Sequence, residues 1–310
     1  MSCISYTGWS AGNKKMLYLV GIFLAACLLS SCVKEVEIEP QPYNRKVVVD
    51  GFIENGRYAQ VFLTMSTPFL DEYDSVSIRK SFLNQAKVIL RSSLGEEEVL
   101  TLFMRDSFFP PFVYRSVNIR GMVGVEYSLE IEVAGRKVYA STTIPQPPII
   151  WNTRFTYVTD STGYPEYMIS LRSDAVQYVY TRVQSVFADE NLHPVREGSI
   201  RLDAGNEFGW ISVYRVKERR ISAGSNYDNF YKEYPPLQYD HRDRVLIVPG
   251  TVDSISHEII NSLFDDWGSN DNPFRFNDSG IKSNIEGGIG LWIGIGVNNA
   301  FVVSGEVSQE

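Results

Sequence analysis

The sequence predicts a mainly β protein with two β-sandwich domains of the immunoglobulin-like kind, the second carrying one amphipathic helix near residues 254–267. Three observations predict it. From Lys46 onward, short runs rich in Val, Ile, Phe, Tyr and Thr recur between Gly, Pro, Asn and Ser, the punctuation of strands and turns. Several of these runs alternate apolar and polar residues with a period of two, which describes a strand with one buried face. Near the middle, Pro145, Pro147 and Pro148 withhold backbone donors and stiffen the chain, which marks a boundary. The expected domains are therefore 46–145 and 149–310, the first about 100 residues long, a size that suits a sandwich.

The elements follow in order. Strands are expected at Lys46–Ile53, Gln60–Met65, Ala86–Arg91, Glu97–Met104, Val125–Val133 and Lys137–Thr143. Tyr127, Leu129, Ile131 and Val133 alternate with Ser128, Glu130 and Glu132, and Ala134-Gly135-Arg136 reads as a tight hairpin into the next strand. In the second half, strands are expected near Ile149–Val158, Tyr167–Leu171, Gln177–Ala188, Gly209–Lys217 and Val245–Val248. From Ser254 to Trp267 the period changes. Ile255, Ile259, Ile260, Leu263, Phe264 and Trp267 recur at three- and four-residue steps, with Asp253 or Ser254 as N-cap and Gly268 past the end.

Before the strands comes an export segment. Lys14 and Lys15 precede an apolar run, Met16–Leu29, which is shorter than the roughly 20 residues a spanning helix needs. Leu29-Ser30-Ser31-Cys32 resembles a bacterial lipoprotein signal, in which Cys32 is lipidated and becomes the first mature residue. Leu24-Ala25-Ala26-Cys27 is a second possible site; cutting there would leave Leu28 and Leu29 exposed beside the anchor. Residues 1–31 are thus expected to be a signal peptide and 32–45 an acidic, Pro-containing tether. Membrane lipid is the expected partner of Cys32, held by burial of acyl chains at about 0.8 kcal/mol per methylene. The acidic run after Cys32 resembles a surface-export signal of Gram-negative lipoproteins, so an outer-membrane, surface-exposed location is expected.

Cleavage has chemical consequences. The chain holds only Cys3, Cys27 and Cys32, so a lipidated Cys32 leaves no thiol for a disulfide, a nucleophile or a metal. Removing residues 1–31 takes away Lys14 and Lys15 and no acid. That leaves 27 bases against 37 acids, a net charge of −10, from −8 for the whole chain. Such a balance disfavours phosphate backbones, which need clustered cations, and no basic run is longer than two residues, Arg219-Arg220 near Lys217 among them. Nucleic acid is not an expected partner.

Motifs for chemistry are sparse. His193, His241 and His257 lie too far apart in sequence for a zinc-binding helix, and no Gly-x-Ser-x-Gly elbow lies in the expected mature chain, residues 32–310, to support a nucleophilic serine. Gly287, Gly288, Gly290, Gly294 and Gly296 lead into a strand-like Leu291–Ile295 rather than a helix, so bulges and close backbone packing explain them better than a phosphate loop does. Asp265, Asp266, Asn270, Asp271, Asn272 and Asp278 do not match the spacing of a calcium loop and read as turns. No catalytic residue, metal or cofactor is expected. A glycosidase pair or a dispersed triad is defined in space, which sequence leaves open. Phe108-Phe109-Pro110-Pro111-Phe112-Val113-Tyr114 reads as a loop or edge rich in aromatics, and Phe108, Phe109, Phe112 and Tyr114 are the expected partner-contact residues.

Asn272-Pro273-Phe274 followed by Ser283-Asn284-Ile285-Glu286-Gly287-Gly288-Ile289-Gly290 resembles the closing signature of the family known as domain of unknown function 4249. Val47–Ile53, Thr64–Phe69 and Tyr139–Pro145 are similar to other segments of that family. Leu291-Trp292-Ile293-Gly294 departs from it, since members more often carry a Phe- and Gly-rich run there. The resemblance implies a Gram-negative lipoprotein that works beside a TonB-dependent β-barrel transporter, as a non-enzymatic accessory or substrate-binding partner. A surface adhesin or structural module is the alternative, and a hydrolase with dispersed catalytic residues a third.

Overall fold

The computed structural model describes residues 44–67, 74–106, 110–171, 175–186, 192–205, 207–214, 238–269 and 282–306, the side chains of 75, 196–197 and 264–269 excepted. The chain divides into Met1–Asn44 and Arg45–Glu310, and all described elements lie in the second unit. Among the described residues the structure is mainly β, with 60% strand against 8% helix.

The first half supplies β1 (Val47–Glu54), β2 (Tyr58–Met65), helix α1 (Ser75–Ser81), β3 (Lys87–Ser92), β4 (Glu97–Val99), β5 (Thr101–Met104), β6 (Phe112–Arg120), β7 (Glu126–Val133) and β8 (Arg136–Thr143). The second supplies β9 (Ile149–Tyr157), β10 (Thr162–Ser170), β11 (Gln177–Ser185), β12 (His193–Leu202), β13 (Phe208–Ser212), β14 (Tyr239–Asp240), β15 (Val245–Val252), helix α2 (Ser254–Ser269), β16 (Ile289–Val297) and β17 (Phe301–Val303). The β7–β8 hairpin forms as the sequence suggests. Ala134 and Gly135 both have positive φ, 50° and 74°, the turn whose twist matches the flanking strands.

Three sheets result. The largest runs β12-β11-β15-β16-β1-β2-β6-β5, with β17 beside β15. A second is β4-β3-β7-β8, and the third places β9 on one edge of β10, with β13 and β14 along the other. One core gathers Val49, Ile53, Val61 and Leu63 with Leu90, Tyr127, Leu129, Ile131 and Trp292. Another gathers Tyr167, Ile169 and Ile211 with Val179, Val183, Val245 and Ile247. Helix α2 joins a third, smaller cluster through Ile260, with Val252, Ile293 and Ile295.

The boundary expected at Ile144–Pro148 does not separate two bodies. Strand β16, from the second half, lies parallel to β1 over Val48–Glu54, and its far end pairs with β15 through Gly250 and Thr251. The proline segment runs beside this seam: Ile144 is fully buried, Gln146 accepts from the Thr251 hydroxyl at 2.5 Å, and Pro148 accepts from Asn298 Nδ2 at 2.6 Å. Glycines let β16 fit. Gly290 has φ +116°, and a Cβ there would drive into the Val49 carbonyl; one at Gly294 would lie 2.6 Å from the Thr143 carbonyl. The glycine cluster is thus a packing device, as the sequence suggests.

Other expectations shift. Glu97–Met104 is broken at Leu100 into two strands that join different sheets. Phe112–Arg120 is a strand because both prolines precede it. In α2, Asp253 is the N-cap, accepting from the Ser256 N–H at 2.7 Å. Ile255 is 60% exposed, and the small Ser256 takes the buried position in its place. Ile259 and Ile260 face inward as expected.

Candidate functional site

The residues singled out from sequence do not converge. Cys32, Phe108 and Phe109 lie outside the described residues. Phe112 is half-buried on β6. Tyr114 is a core residue rather than a contact. It is 3% exposed, and its hydroxyl accepts from the Ala86 N–H at 2.9 Å and donates to the Leu83 carbonyl at 3.1 Å. The histidines lie on separate elements. His193 opens β12, the His241 Nδ1 lies 3.0 Å from the Ser161 carbonyl, and His257 stacks on Tyr178 at 4.5 Å. Among the described residues, no group of three His, Cys, Asp or Glu side chains is placed to hold a metal. Nor does any described helix have the length and apolarity to cross a membrane.

The structure instead brings aromatics together on the outer face of the β9-β10-β13 sheet. In β10, Tyr167 and Ile169 point into the core, so Tyr164, Glu166, Met168 and Ser170 point outward. Register then fixes their neighbours. Tyr164 lies opposite Thr156; Glu166 lies between Arg154 and Ser212; Met168 lies between Asn152 and Trp210; Ser170 lies between Ile149 and Phe208. An irregularity between Met168 and Ile169 brings Trp151 to the same side, where its ring meets Phe208 edge-on at 5.3 Å. At the other end, Tyr164 and Tyr214 have ring centroids 4.8 Å apart. Trp151 is 62% exposed, Phe208 41% and Trp210 37%.

Between the two ring groups lies a polar row. The Glu166 carboxylate is buried and accepts from Arg154 Nε at 2.6 Å, Thr156 Oγ1 at 2.6 Å and Ser212 Oγ at 2.7 Å. The Arg154 guanidinium lies 3.9 Å over the Trp210 ring, a stacking that holds both side chains in place. Burial works against ionisation of Glu166, but the hydrogen bonds from Thr156, Ser212 and Arg154 outweigh it and hold the carboxyl below its ordinary value. A general acid at neutral pH needs the opposite shift. What this face offers is contact: fixed rings, fixed donors and a carboxylate held toward its ionised form by three donors.

A signal for this face existed in the sequence. In Phe208-Gly209-Trp210-Ile211-Ser212 the core residue is Ile211, so the two aromatics occupy the alternate phase, where a solvated strand ordinarily carries polar side chains. A second concavity, of about 330 Å³, lies against β3, β7 and β8 near Glu286. Its one cation, Arg91, is already committed to Glu97 at 2.7 Å and Glu130 at 2.8 Å, which makes it the weaker candidate.

Fold and face together define a mainly β protein that presents an aromatic sheet surface. By sequence, the chain belongs to the family described as "Domain of unknown function (DUF4249)", which matches residues 33–299. No curated protein matches the chain. Among solved structures, a DUF4785 family protein from Legionella pneumophila subsp. pneumophila str. Philadelphia 1 is similar at 10% identity and a TM-score of 0.21, over 64% of this chain and 51% of that one. The present chain thus spans about half the length of that protein.

Proposed function

We propose that the protein is a non-enzymatic lipoprotein, anchored to the outer membrane through Cys32 and exposed at the surface, that serves a TonB-dependent β-barrel transporter by holding its substrate. The observation that carries the binding role is the exposed set of Trp151, Phe208 and Trp210 on one rigid sheet face. Exposed aromatics are costly in a soluble body unless something covers them, and Trp, Tyr and Arg are the residue types that dominate binding surfaces. The anchor and the transporter are supported by the Leu29–Cys32 signal and by family resemblance. On the same reading, the two larger cores fill two immunoglobulin-like β-sandwich units.

The test is recovery of the full-length protein from its own membranes in mild detergent. A β-barrel transporter is expected to co-purify, and Cys32→Ala is expected to move the protein out of the membrane fraction. Recovery with no barrel attached would sink the transporter partnership; a Cys32→Ala protein still held on the membrane would sink the anchor.

A further inference from the structure

We infer that the outer face of the β9-β10-β13 sheet takes a neutral glycan chain; this rests on the reading of that face as a substrate-holding surface and gives the substrate a class. Charge decides first. Among the outward positions of β9, β10 and β13, Arg154 is the only cation and Glu166 the only acid, and they neutralise each other at 2.6 Å. No net charge is left to attract a phosphate, a sulfate or a nucleic-acid backbone, and the whole chain carries −8 besides. An ionic ligand is therefore disfavoured at this face.

Patterning decides next. A protein partner is held by a desolvated apolar centre inside a polar rim. Here the order is reversed. The polar row of Arg154, Glu166 and Ser212 runs through the middle, with Trp210, Trp151 and Phe208 on one side and Tyr164 and Tyr214 on the other. From Tyr164 to Met168 is four residues along β10, about 13 Å at strand rise. That span suits several linked sugar rings rather than one. A pyranose has an apolar C–H face and a rim of hydroxyls. Its face can cover an indole or phenol ring, and its hydroxyls can meet the guanidinium N–H groups of Arg154 that point away from Glu166. Strand-borne rings, one fixed by a cation over it and another by an edge contact, lose little freedom on binding.

The experiment is an array of neutral and anionic polysaccharides probed with the full-length protein in detergent, followed by affinity electrophoresis on the hits. Binding to at least one neutral polysaccharide, none to polygalacturonate, and a tenfold or greater loss in both Trp210→Ala and Trp151→Ala are expected. The exposure of both rings lets each variant keep the wild-type melting profile, which circular dichroism checks. Failure to bind any neutral glycan overturns the inference, as does binding that survives both substitutions. If the transporter still co-purifies and is lost in Trp151→Ala, the face is a protein-docking surface, and the partnership stands without the glycan. If glycan binds and no barrel co-purifies, the glycan stands without the partnership.

Discussion

Glu166 carries the largest share of polar organisation at the aromatic face. Three donors reach its carboxylate, from β9 on one side and β13 on the other. Because the folded chain holds this carboxyl below its ordinary value of 4.5, the native state binds its proton less readily than the unfolded chain does. Its contribution is fully present above about pH 4.5 and is lost as pH falls through the native value. Glu166→Gln should therefore cost about 1.5–3 kcal/mol at pH 7, the scale of a hydrogen bond to a charged group, and the gap to wild type should narrow on acidification. Urea midpoints across the acid range read this directly; a gap that widens toward low pH would contradict it. Little of this was legible beforehand. Glu166 is one acid among 37, and only the register of β10 against β9 and β13 selects it.

At the scale of elements, α2 does more than cover the sheet. Its Asn261 reaches β12 and replaces a missing strand: the Ser199 N–H donates to Asn261 Oδ1 at 2.9 Å, and Asn261 Nδ2 donates to the Ser199 carbonyl at 3.0 Å. An exposed strand edge invites pairing with another chain, and a side-chain amide that mimics a backbone pair blunts it. Asn261→Ala should lower stability by about 1–3 kcal/mol, since both groups lie at a buried residue and would be left unpaired. Denaturant unfolding with an unchanged slope, together with a rise in self-association on gel filtration, is the expected outcome. An unchanged midpoint would show the edge to be satisfied otherwise. The existence of α2 was readable from its three- and four-residue period and its Asp253 cap. The inward residue of its first turn was not, because Ile255 and Ser256 exchange their expected places. The hairpin at Ala134-Gly135 was readable for a local reason, since only a two-residue turn with positive φ joins those strands. Strand β12 escaped notice because Pro194 and Gly198 interrupt its pattern.

At the scale of the molecule, the seam at β16 binds first and second halves into one unit. Trp292 is fully buried among first-half residues, and its indole N–H donates to the Tyr127 carbonyl at 2.9 Å. Asn284 clasps the Trp292 backbone with both amide atoms, at 2.7 and 3.0 Å. The buried Glu54 of β1 also meets Arg182 of β11 at 2.6 Å, across the same divide. Losing the Trp292 side chain alone costs about 3–5 kcal/mol, a large part of the 5–15 kcal/mol that holds a domain together. Residues 46–145 expressed alone should therefore lack a cooperative melt, and co-expression with 149–310 should restore one. A sharp transition in the isolated first half would disprove the shared seam.

By itself, the sequence determined what depends on near neighbours: the β class, the tight hairpin, the capped helix and the structural nature of the glycines. These follow from periodicity, turn chemistry and the conformational range of single residues. Tertiary structure alone decided which strand lies beside which. It carried the segment at Ile289–Val297 back to β1 and aligned Trp151, Phe208 and Trp210 on one face. Pairing between distant strands is set by the fit of whole cores, and no local pattern encodes it.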